Sequence, residues 1–388
     1  MSSFATNTMR SKLPHVGTTI FTTMSVLAQE VGAVNLGQGF PDFACDPRLI
    51  AAMHEAMLAG HNQYPPMTGI PALRETVVEK VASLYGYQYD AEHEVTITAG
   101  ATQAIQTALT AIVHAGDEVI IFEPVFDSYE PVIRMNGGTT IYAKLRYPDY
   151  RPNWDEVRAL ITPMTRVIMI NSPHNPTASL FTAEDMLELA NVLRGTDIIL
   201  ISDEVYEHII FDGARHESVA RYPELAERAF VISSFGKTYH VTGWKVAYCL
   251  APKALMLEFR KAHQFIVFTV NAPSQHAIAT YMQYKTHLTL AAFYQTKRDY
   301  FLSQVKSSRL HWLPSCGSYF VTASYAHLDE YRALGDVEFA LQLARQFGVA
   351  CIPVSAFYHD GTDERTVRFC FAKTEATLEQ AAERLARV

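Results

Sequence analysis

The chain contains no long apolar segment and no excess of positive charge. No apolar run approaches the roughly 20 residues that a membrane-spanning helix needs, and residues 1–12 lack the continuous apolar core of a secretory leader. The net charge of -8 gives no general attraction to nucleic acid or to anionic membranes. We therefore expect a cytoplasmic protein that acts on small solutes, with neither nucleic acid nor a membrane as a partner.

Cysteine is also scarce, and the few cysteines show no pairing pattern. Their number is odd and no two stand in a Cys-x-x-Cys arrangement, which argues against a disulfide framework and against a zinc site. The five residues are Cys45, Cys249, Cys316, Cys351 and Cys370. The histidines likewise lack ligand spacing, so no metal is expected and a reducing compartment fits best.

What the chain does have is a regular alternation of short β-branched runs and amphipathic segments. With 388 residues, of which 49% are hydrophobic, it is long enough for two domains. Two segments are typical of crossover helices: residues 101–115, and residues 182–193 with Thr182 as N-cap and Asp185 three positions later. The predicted strands are 94–98, 118–122, 139–143, 166–170, 198–201, 229–233 and 244–250. This pattern predicts an α/β fold with a mostly parallel seven-stranded sheet and helices on both faces.

The alternation of short β-branched runs and amphipathic segments ends at about Ala272, and longer helical segments follow. A hairpin-like piece follows near Gly317, and a further strand is expected at 366–371. Residues 12–46 precede the first sheet strand, and we expect them to pack with this C-terminal part. The predicted division is a large domain at 47–284 and a smaller α/β domain formed by 1–46 and 285–388.

Polar residues follow two of the predicted strands directly. Asp203 follows the strand 198–201, and Lys237 follows the strand 229–233. Ligands of open α/β sheets bind beyond the carboxyl ends of the strands, so both side chains should face one crevice. A partly buried ion pair between them is the alternative interpretation.

The same edge of the sheet carries more positive charge than an ion pair with Asp203 requires. Residues 100–102 open a helix and offer free N–H groups and a positive dipole end to an anion. Ser234, Lys237 and Lys245 add a hydroxyl group and two cations. A phosphorylated cofactor explains this excess.

Three motifs carry a resemblance to a known family: Asn-Pro-Thr at 175–177, Ser-Asp-Glu-Val-Tyr at 202–206, and the run from Ser234 to Lys245. In their order and spacing they resemble those of the fold-type-I, class I aminotransferases, which depend on pyridoxal 5'-phosphate. The likeness is strongest to the bacterial methionine aminotransferases and to the kynurenine/glutamine branch. It extends through residues 37–42 and 64–69 to 368–373, so nearly the whole chain is covered.

The resemblance implies the catalytic roles. Lys237 would carry the cofactor as a Schiff base and move a proton between the substrate and the cofactor. Asp203 would keep the pyridine nitrogen protonated. Tyr206 and Asn175 would donate to the phenolic oxygen of the ring, and Phe126 would stack on its face.

It also implies the groups that hold the phosphate and the substrate. The remaining cofactor residues would be Gly100, Ala101, Thr102, Ser234, Lys245, and Tyr64 from a neighbouring subunit. That last assignment predicts a homodimer with a shared active site. The substrate residues would be Arg368 as the carboxylate clamp, with Asn175 and Gly39 beside it, and Phe21, Phe268 and Thr269 around the side chain.

The expected substrate follows from the absence of arginine in residues 264–271. Aspartate-type relatives have a second arginine in the stretch that matches 264–271, and this chain has none there. We therefore expect methionine or another apolar or aromatic amino acid as the donor, and a 2-oxo acid as the acceptor, in a ping-pong reaction. Beta-elimination of cysteine conjugates by the same Lys237 is the alternative.

Two departures from the family pattern accompany the resemblance. Many relatives have arginine where Lys245 stands, and glycine where Ala178 stands. Neither change removes a catalytic group. Lysine at position 245 supplies a point charge instead of a fork of donors, as it does in the kynurenine/glutamine branch.

Overall fold

The computed structural model describes residues 10–388. Its helices are α1 (Ile20–Val31), α2 (Pro47–Leu58), α3 (Pro71–Tyr85), α4 (Ala101–Ile112), α5 (Tyr129–Met135), α6 (Trp154–Leu160), α7 (Ala183–Leu193), α8 (Pro223–Ala226), α9 (Phe235–Thr238), α10 (Lys253–Ile266), α11 (Ala272–Met282), α12 (Leu290–Gln304), α13 (Asp336–Gln342) and α14 (Glu375–Leu385). Its strands are β1 (Val34–Asn35), β2 (Val95–Thr98), β3 (Glu118–Glu123), β4 (Thr139–Lys144), β5 (Thr165–Asn171), β6 (Ile199–Asp203), β7 (Ala229–Ser234), β8 (Ala247–Leu250), β9 (His311–Trp312), β10 (Phe320–Ser324), β11 (Val349–Ala350), β12 (Ile352–Pro353) and β13 (Thr366–Cys370).

The seven-stranded sheet has the order β2-β8-β7-β6-β5-β3-β4. Neighbouring strands from β4 to β7 pair in parallel, while β8 is antiparallel to both β2 and β7. The predicted mostly parallel sheet is therefore confirmed. The predicted strand 244–250 is wrong in its first three residues, because Thr242–Trp244 form a helical turn and Lys245 has φ 55°, which no strand can accommodate.

Helices cover both faces of this sheet, as the alternation predicts. Side chains of α4, α5 and α10 pack on one face, and those of α3, α7 and α11 on the other. Thr182 accepts from the N–H of Asp185, and the Asp185 carboxylate accepts from the N–H of Thr182 at 2.8 Å, so the predicted capping box is present. The helix predicted at 101–115 ends at Ile112, since Val113 is extended.

A second hydrophobic core lies beyond the sheet edge. Four strands form an antiparallel sheet in the order β12-β13-β10-β9. In addition, β1 pairs in parallel with β11. Met24 and Leu36 from the start of the chain share this core with Phe369 and Leu385 from its end. That sharing supports the proposed small domain, whose boundaries at 46 and 285 remain a prediction. Within residues 10–388, no helix has the length and apolarity needed to cross a bilayer.

Candidate active site

A cavity of about 310 Å³ lies where the strands of the large sheet end. Its size and mixed polar and apolar lining are typical of small-molecule sites. Many of its lining residues are those that the sequence singled out: Phe21, Gly39, Gly100, Ala101, Thr102, Phe126, Asn175, Asp203, Tyr206, Ser234, Lys237, Lys245 and Arg368.

The strand register explains why these side chains meet. Asn171 at the end of β5 is paired with Asp203 at the end of β6, and Asp203 is paired with Ile232 in β7. Ser234 then ends β7, and the one-turn helix α9 follows with Lys237 in it. Because β5, β6 and β7 are parallel, their carboxyl ends deliver these residues to one edge.

Within the described residues 10–388, the Lys237 amine forms no ion pair with a carboxylate. It donates to the hydroxyl oxygen of Tyr319 at 2.8 Å and to the carbonyl oxygen of Gly39 at 3.3 Å. Burial lowers the pKa of Lys237 to about 8, so a substantial fraction of the amine is neutral near physiological pH. No ion pair joins Lys237 to Asp203, so the alternative interpretation of these two residues is wrong.

Asp203 is a buried carboxylate held by neutral donors. The Tyr129 hydroxyl donates to its Oδ2 at 2.6 Å, and the backbone N–H of Val205 donates to its Oδ1 at 3.2 Å. Burial raises the pKa of Asp203 to about 6. A carboxylate in this setting is a strong partner for a cationic ring N–H, because such a partner relieves the cost of its burial.

The start of α4 forms an anion site. Gly100 precedes the helix with φ 86°, and no side chain caps the free N–H groups of the first turn. A Cβ atom at position 100 would lie 3.0 Å from the Lys245 amine, so this cation sits directly against the glycine. Ser234 also lines the cavity. Uncapped N–H groups, a helix dipole and a lysine together fit a phosphate group.

Arg368 is a second anion receptor in the cavity. It is 1% exposed, and it donates to Asn175 Oδ1 at 2.6 Å and to the carbonyl oxygen of Gly37 at 2.9 Å. Its Nε has no hydrogen-bond partner within residues 10–388, and its guanidinium donates to no carboxylate in that part of the chain. Burial lowers its pKa to about 10, so the guanidinium stays charged at neutral pH. Asp127 lines the same cavity and its charge acts on Arg368, but the two side chains form no direct ion pair. A buried guanidinium without a direct ion pair is poised to bind an anionic ligand.

The backbone at Ala178 favours the glycine that many relatives have at this position. Ala178 has φ 62°, in the left-handed region that favours glycine. Its side chain is fully buried. The alanine therefore carries backbone strain of roughly 1 kcal/mol that a glycine would avoid.

One cavity residue, Asn171, and two tyrosines that contact cavity residues were not singled out as site residues by the sequence. Tyr319 and Tyr129 approach Lys237 and Asp203 from 82 and 74 positions away in the chain, a distance that no local pattern reveals. Asn171 had a usable signal, since it directly follows an apolar strand. Its amide donates to the carbonyl oxygen of Asp203 at 2.9 Å, and its Oδ1 accepts from the N–H of Asn175 at 2.9 Å.

Three predicted residues lie outside the cavity of their own chain. Tyr64 is 82% exposed, and its ring packs edge-on against Phe268 with 5.4 Å between centroids. Thr269 lines a surface groove beside Tyr64. Their predicted roles therefore require a second subunit. No cluster of three potential metal ligands occurs in the described part of the chain.

The three main features match the groups of the cofactor that the resemblance implies. The α4 cradle fits the phosphate, Asp203 fits the ring nitrogen, and the lysine amine with its lowered pKa fits the aldehyde. Arg368 remains available to bind the carboxylate of an amino acid substrate. The donor set thus fits pyridoxal 5'-phosphate together with its substrate.

Comparison with known proteins gives the same answer. The family model described as aminotransferase class I and II matches residues 31–385. The chain is 47% identical to methionine aminotransferase of Escherichia coli, over 97% of each protein. It is 37% identical to a probable N-succinyldiaminopimelate aminotransferase of Mycobacterium tuberculosis, over 97% of each, and 33% identical to kynurenine-oxoglutarate transaminase of Dictyostelium discoideum, over 96% of the chain and 94% of the relative.

The fold agrees with the sequence comparison. The crystal structure of an Escherichia coli protein identified as a methionine aminotransferase superimposes with a TM-score of 0.95 at 47% identity, over 98% of this chain and 99% of that one. The fold, the cavity and the sequence therefore all indicate the same family. The chain belongs to the class I and II aminotransferases, and it is a pyridoxal 5'-phosphate-dependent enzyme with the fold-type-I architecture.

Proposed function

We propose that this enzyme moves the amino group of methionine, or of another apolar or aromatic amino acid, to a 2-oxo acid in a ping-pong reaction. One observation carries the proposal: the cavity holds a lysine amine and a buried guanidinium, and within residues 10–388 neither forms a direct ion pair with a carboxylate. The amine is free to react, and the guanidinium is free to bind a substrate carboxylate. The named relatives are aminotransferases, so the beta-elimination alternative is not favoured.

Pyridoxal phosphate, when bound, supplies an aldehyde that condenses with amines and a ring that accepts electrons from the substrate alpha carbon. Lys237 would hold the cofactor covalently, and the Nζ atom of this lysine would move the proton at the substrate alpha carbon. Asp203 holds the proton on the ring nitrogen, and Tyr129 keeps that carboxylate in place. Tyr206 and Asn175 orient the phenolic oxygen.

The remaining residues bind without taking part in proton transfer. The N–H groups of Ala101 and Thr102, together with Ser234 and Lys245, hold the phosphate. Phe126 covers one face of the ring. Arg368 positions the substrate carboxylate with Asn175 and Gly39 beside it, and this orients the alpha carbon toward Lys237.

The substrate side chain meets an apolar surface. The rings of Phe320 and Phe21 lie 4.0 and 5.5 Å from the Arg368 guanidinium carbon, and both residues line the cavity. Phe268 and Thr269 would complete this surface from a second subunit. A thioether or an aromatic ring fits such walls, whereas a second carboxylate would be buried without a cation.

Methionine is accordingly expected to be the better donor. With one shared 2-oxo acid acceptor, kcat/KM for methionine should exceed that for aspartate by about 100-fold or more, because an unpaired buried carboxylate costs on the order of 3 kcal/mol. Steady-state rates with both amino acids measure this ratio. A higher kcat/KM for aspartate would contradict the substrate assignment.

We also propose a homodimer in which each active site is completed by the other subunit. Three large apolar or aromatic side chains are exposed near each other in sequence or space: Phe265 at 90%, Tyr64 at 82% and Phe268 at 41%. Tyr64 and Phe268 contact each other, and contiguous exposed apolar surface often marks a subunit interface that a symmetric partner covers. Tyr64 would then hold the phosphate bound in the neighbouring subunit.

A mixed dimer tests the shared site. Lys237→Ala and Tyr64→Ala subunits are co-expressed with different tags, and the heterodimer is purified. If Tyr64 acts across the interface, one of the two sites regains both residues, and the heterodimer should reach about half of the wild-type turnover. The two variant homodimers serve as controls. A heterodimer no more active than the Tyr64→Ala homodimer would show that Tyr64 does not serve the other subunit.

We further propose a cytoplasmic location. All five cysteines are free, and Cys249, Cys351 and Cys370 are buried. Unpaired thiols in this number are typical of proteins in reducing compartments. Fractionation of the source cells, with the protein detected by an antibody, tests the location.

A further inference from the structure

The segment Gly37–Phe40 borders the cavity, and each of its carbonyl groups has a cationic or hydroxyl donor. The first carbonyl accepts from Arg368 at 2.9 Å, and the second and fourth accept from Lys373 at 3.4 and 2.7 Å. The third accepts from the Tyr319 hydroxyl at 2.5 Å and from Lys237 at 3.3 Å. Hydrogen bonds therefore hold the segment on both sides of Gly39, and the Gly39 carbonyl oxygen points toward Lys237.

Gly39 itself has no room for a side chain. A Cβ atom there would lie 2.8 Å from the ring of Phe320, next to Tyr319 in the chain. The backbone of the segment consequently packs directly against the aromatic residues. This close approach brings the Tyr319 hydroxyl within reach of both the carbonyl and the lysine.

The direction of these hydrogen bonds is fixed by chemistry. A carbonyl oxygen only accepts, so the single proton of the Tyr319 hydroxyl points at Gly39. The lone pairs of the Tyr319 oxygen are then left for Lys237, whose amine donates to it at 2.8 Å. Lys237 is thus held by two neutral acceptors, one from a side chain and one from the backbone.

Neutral acceptors differ from a carboxylate in their effect on the lysine. A carboxylate in ion-pair contact would hold the amine as an ammonium group, which cannot act as a nucleophile or a base. A phenol and a carbonyl orient the amine and favour its charged form only moderately. The titratable and charged groups that surround this amine are Asp203, Tyr206, Lys245, Tyr319, Arg368 and Cys370. Among these, Tyr319 alone forms a direct hydrogen bond with it.

We propose that Tyr319 is a positioning residue that, together with the Gly39 carbonyl, holds the free amine of Lys237 in the orientation from which it reacts. The inference rests on the proposed role of Lys237 as the residue that carries the cofactor. The amine is free whenever the substrate has displaced it and before the cofactor first binds. Tyr319 would hold the amine on the small-domain side of the cavity during these intervals.

Tyr319→Phe removes only the hydroxyl, and Tyr294→Phe is its matched control. Both tyrosines are fully buried, and their rings lie 5.8 Å apart. The Tyr294 hydroxyl has no hydrogen-bond partner within residues 10–388, so its removal breaks no hydrogen bond there. The Tyr319 ring also keeps its edge-on contacts with Tyr206 and Phe320 in the phenylalanine variant.

The experiment measures the rate of covalent uptake of pyridoxal phosphate by the cofactor-free full-length protein as a function of pH, followed by absorbance. Only the neutral amine reacts, so the wild-type rate should rise through a midpoint near pH 8. Loss of an acceptor for the ammonium form should lower this midpoint by about 1 pH unit in Tyr319→Phe, and loss of orientation should lower the limiting rate by roughly tenfold. Tyr294→Phe should match the wild type.

An unchanged midpoint and limiting rate in Tyr319→Phe would overturn the inference. Partial unfolding would reduce the amplitude of the absorbance change, but it would leave the midpoint of the folded fraction in place. Lys237→Ala separates this inference from the proposed function. If that variant takes up the cofactor as the wild type does, the proposed role of Lys237 fails. If it does not, and Tyr319→Phe behaves as the wild type, the Tyr319 inference alone fails.

Discussion

Replacement of Lys237 by alanine is expected to lower kcat/KM for methionine by on the order of 10^4-fold or more. The same amine is proposed to hold the cofactor covalently and to move the proton at the alpha carbon, so one substitution removes two contributions. The second lysine among the described residues that line the cavity is Lys245, and it is not placed to substitute because it lies against Gly100. Steady-state kinetics with saturating cofactor measure the loss.

Lys245→Ala is the matched comparison for this variant. It removes a lysine from the same cavity, but one that is proposed to bind the phosphate without reacting. We expect weaker cofactor binding and a loss of activity that excess pyridoxal phosphate partly restores. Lys237→Ala should not be restored in this way. Full turnover by Lys237→Ala would contradict the assignment of the reacting amine.

Substitution of Lys80 by methionine is expected to destabilise the fold by about 3–5 kcal/mol. Lys80 donates to Glu207 Oε1 at 2.6 Å, and both side chains are almost fully buried. Tyr85, Tyr248 and Ser233 also donate to this carboxylate. Removal of the Lys80 ammonium group would leave Glu207 as a buried negative charge that neutral donors cannot fully compensate. The free energy of unfolding from denaturant titration measures the effect.

The chain offers a matched control in the pair Lys261–Glu258. Its N–O distance is also 2.6 Å, but its side chains are 62% and 47% exposed, compared with 5% and 2% for Lys80 and Glu207. An exposed pair contributes about 0–1 kcal/mol, so Lys261→Met should change stability little. The double variant Lys80→Met with Glu207→Gln should be more stable than Lys80→Met alone, since the unpaired charge is gone. Equal losses for Lys80→Met and Lys261→Met would contradict the burial argument.

The same ion pair gives an acid dependence of stability. Burial alone would raise the pKa of Glu207, but Lys80, His208 and the hydrogen bonds to its oxygens hold it well below its ordinary value. A carboxylate with a lowered pKa stabilises the fold above the unfolded value of about 4.3, and this contribution is lost as the pH falls below it. The Lys80→Met variant lacks the stabilising contribution of the Glu207 carboxylate at neutral pH. The free energy of unfolding of this variant should therefore fall less steeply than that of the wild type as the pH is lowered.

The sequence could predict those parts of the site that follow apolar strands directly. Asp203 and Lys237 each come just after such a run, and the topology of a parallel sheet brings the carboxyl ends together. It could not predict Tyr129 or Tyr319, because their contacts join distant parts of the chain through the packing of α5 and of the small sheet. The error at 244–246 has a local cause, since an uncommon backbone conformation at Lys245 replaces the strand that the β-branched pattern favours.

Residues that act between subunits form a separate class. Tyr64, Phe268 and Thr269 match positions of the family's active site. In a single chain, however, they lie together at the surface. Their proposed roles depend on a partner surface whose position the strand pattern does not determine. The mixed-dimer experiment addresses them directly.

The central claim is that the Nζ atom of Lys237 carries the cofactor, and one measurement tests it most directly. Borohydride makes a Schiff-base link permanent, so the reduced holoenzyme can be digested and its peptides analysed by mass spectrometry. We predict the pyridoxyl modification on Lys237 and none on Lys245. A modification on Lys245 or on any other lysine, with Lys237 unmodified, would contradict the account.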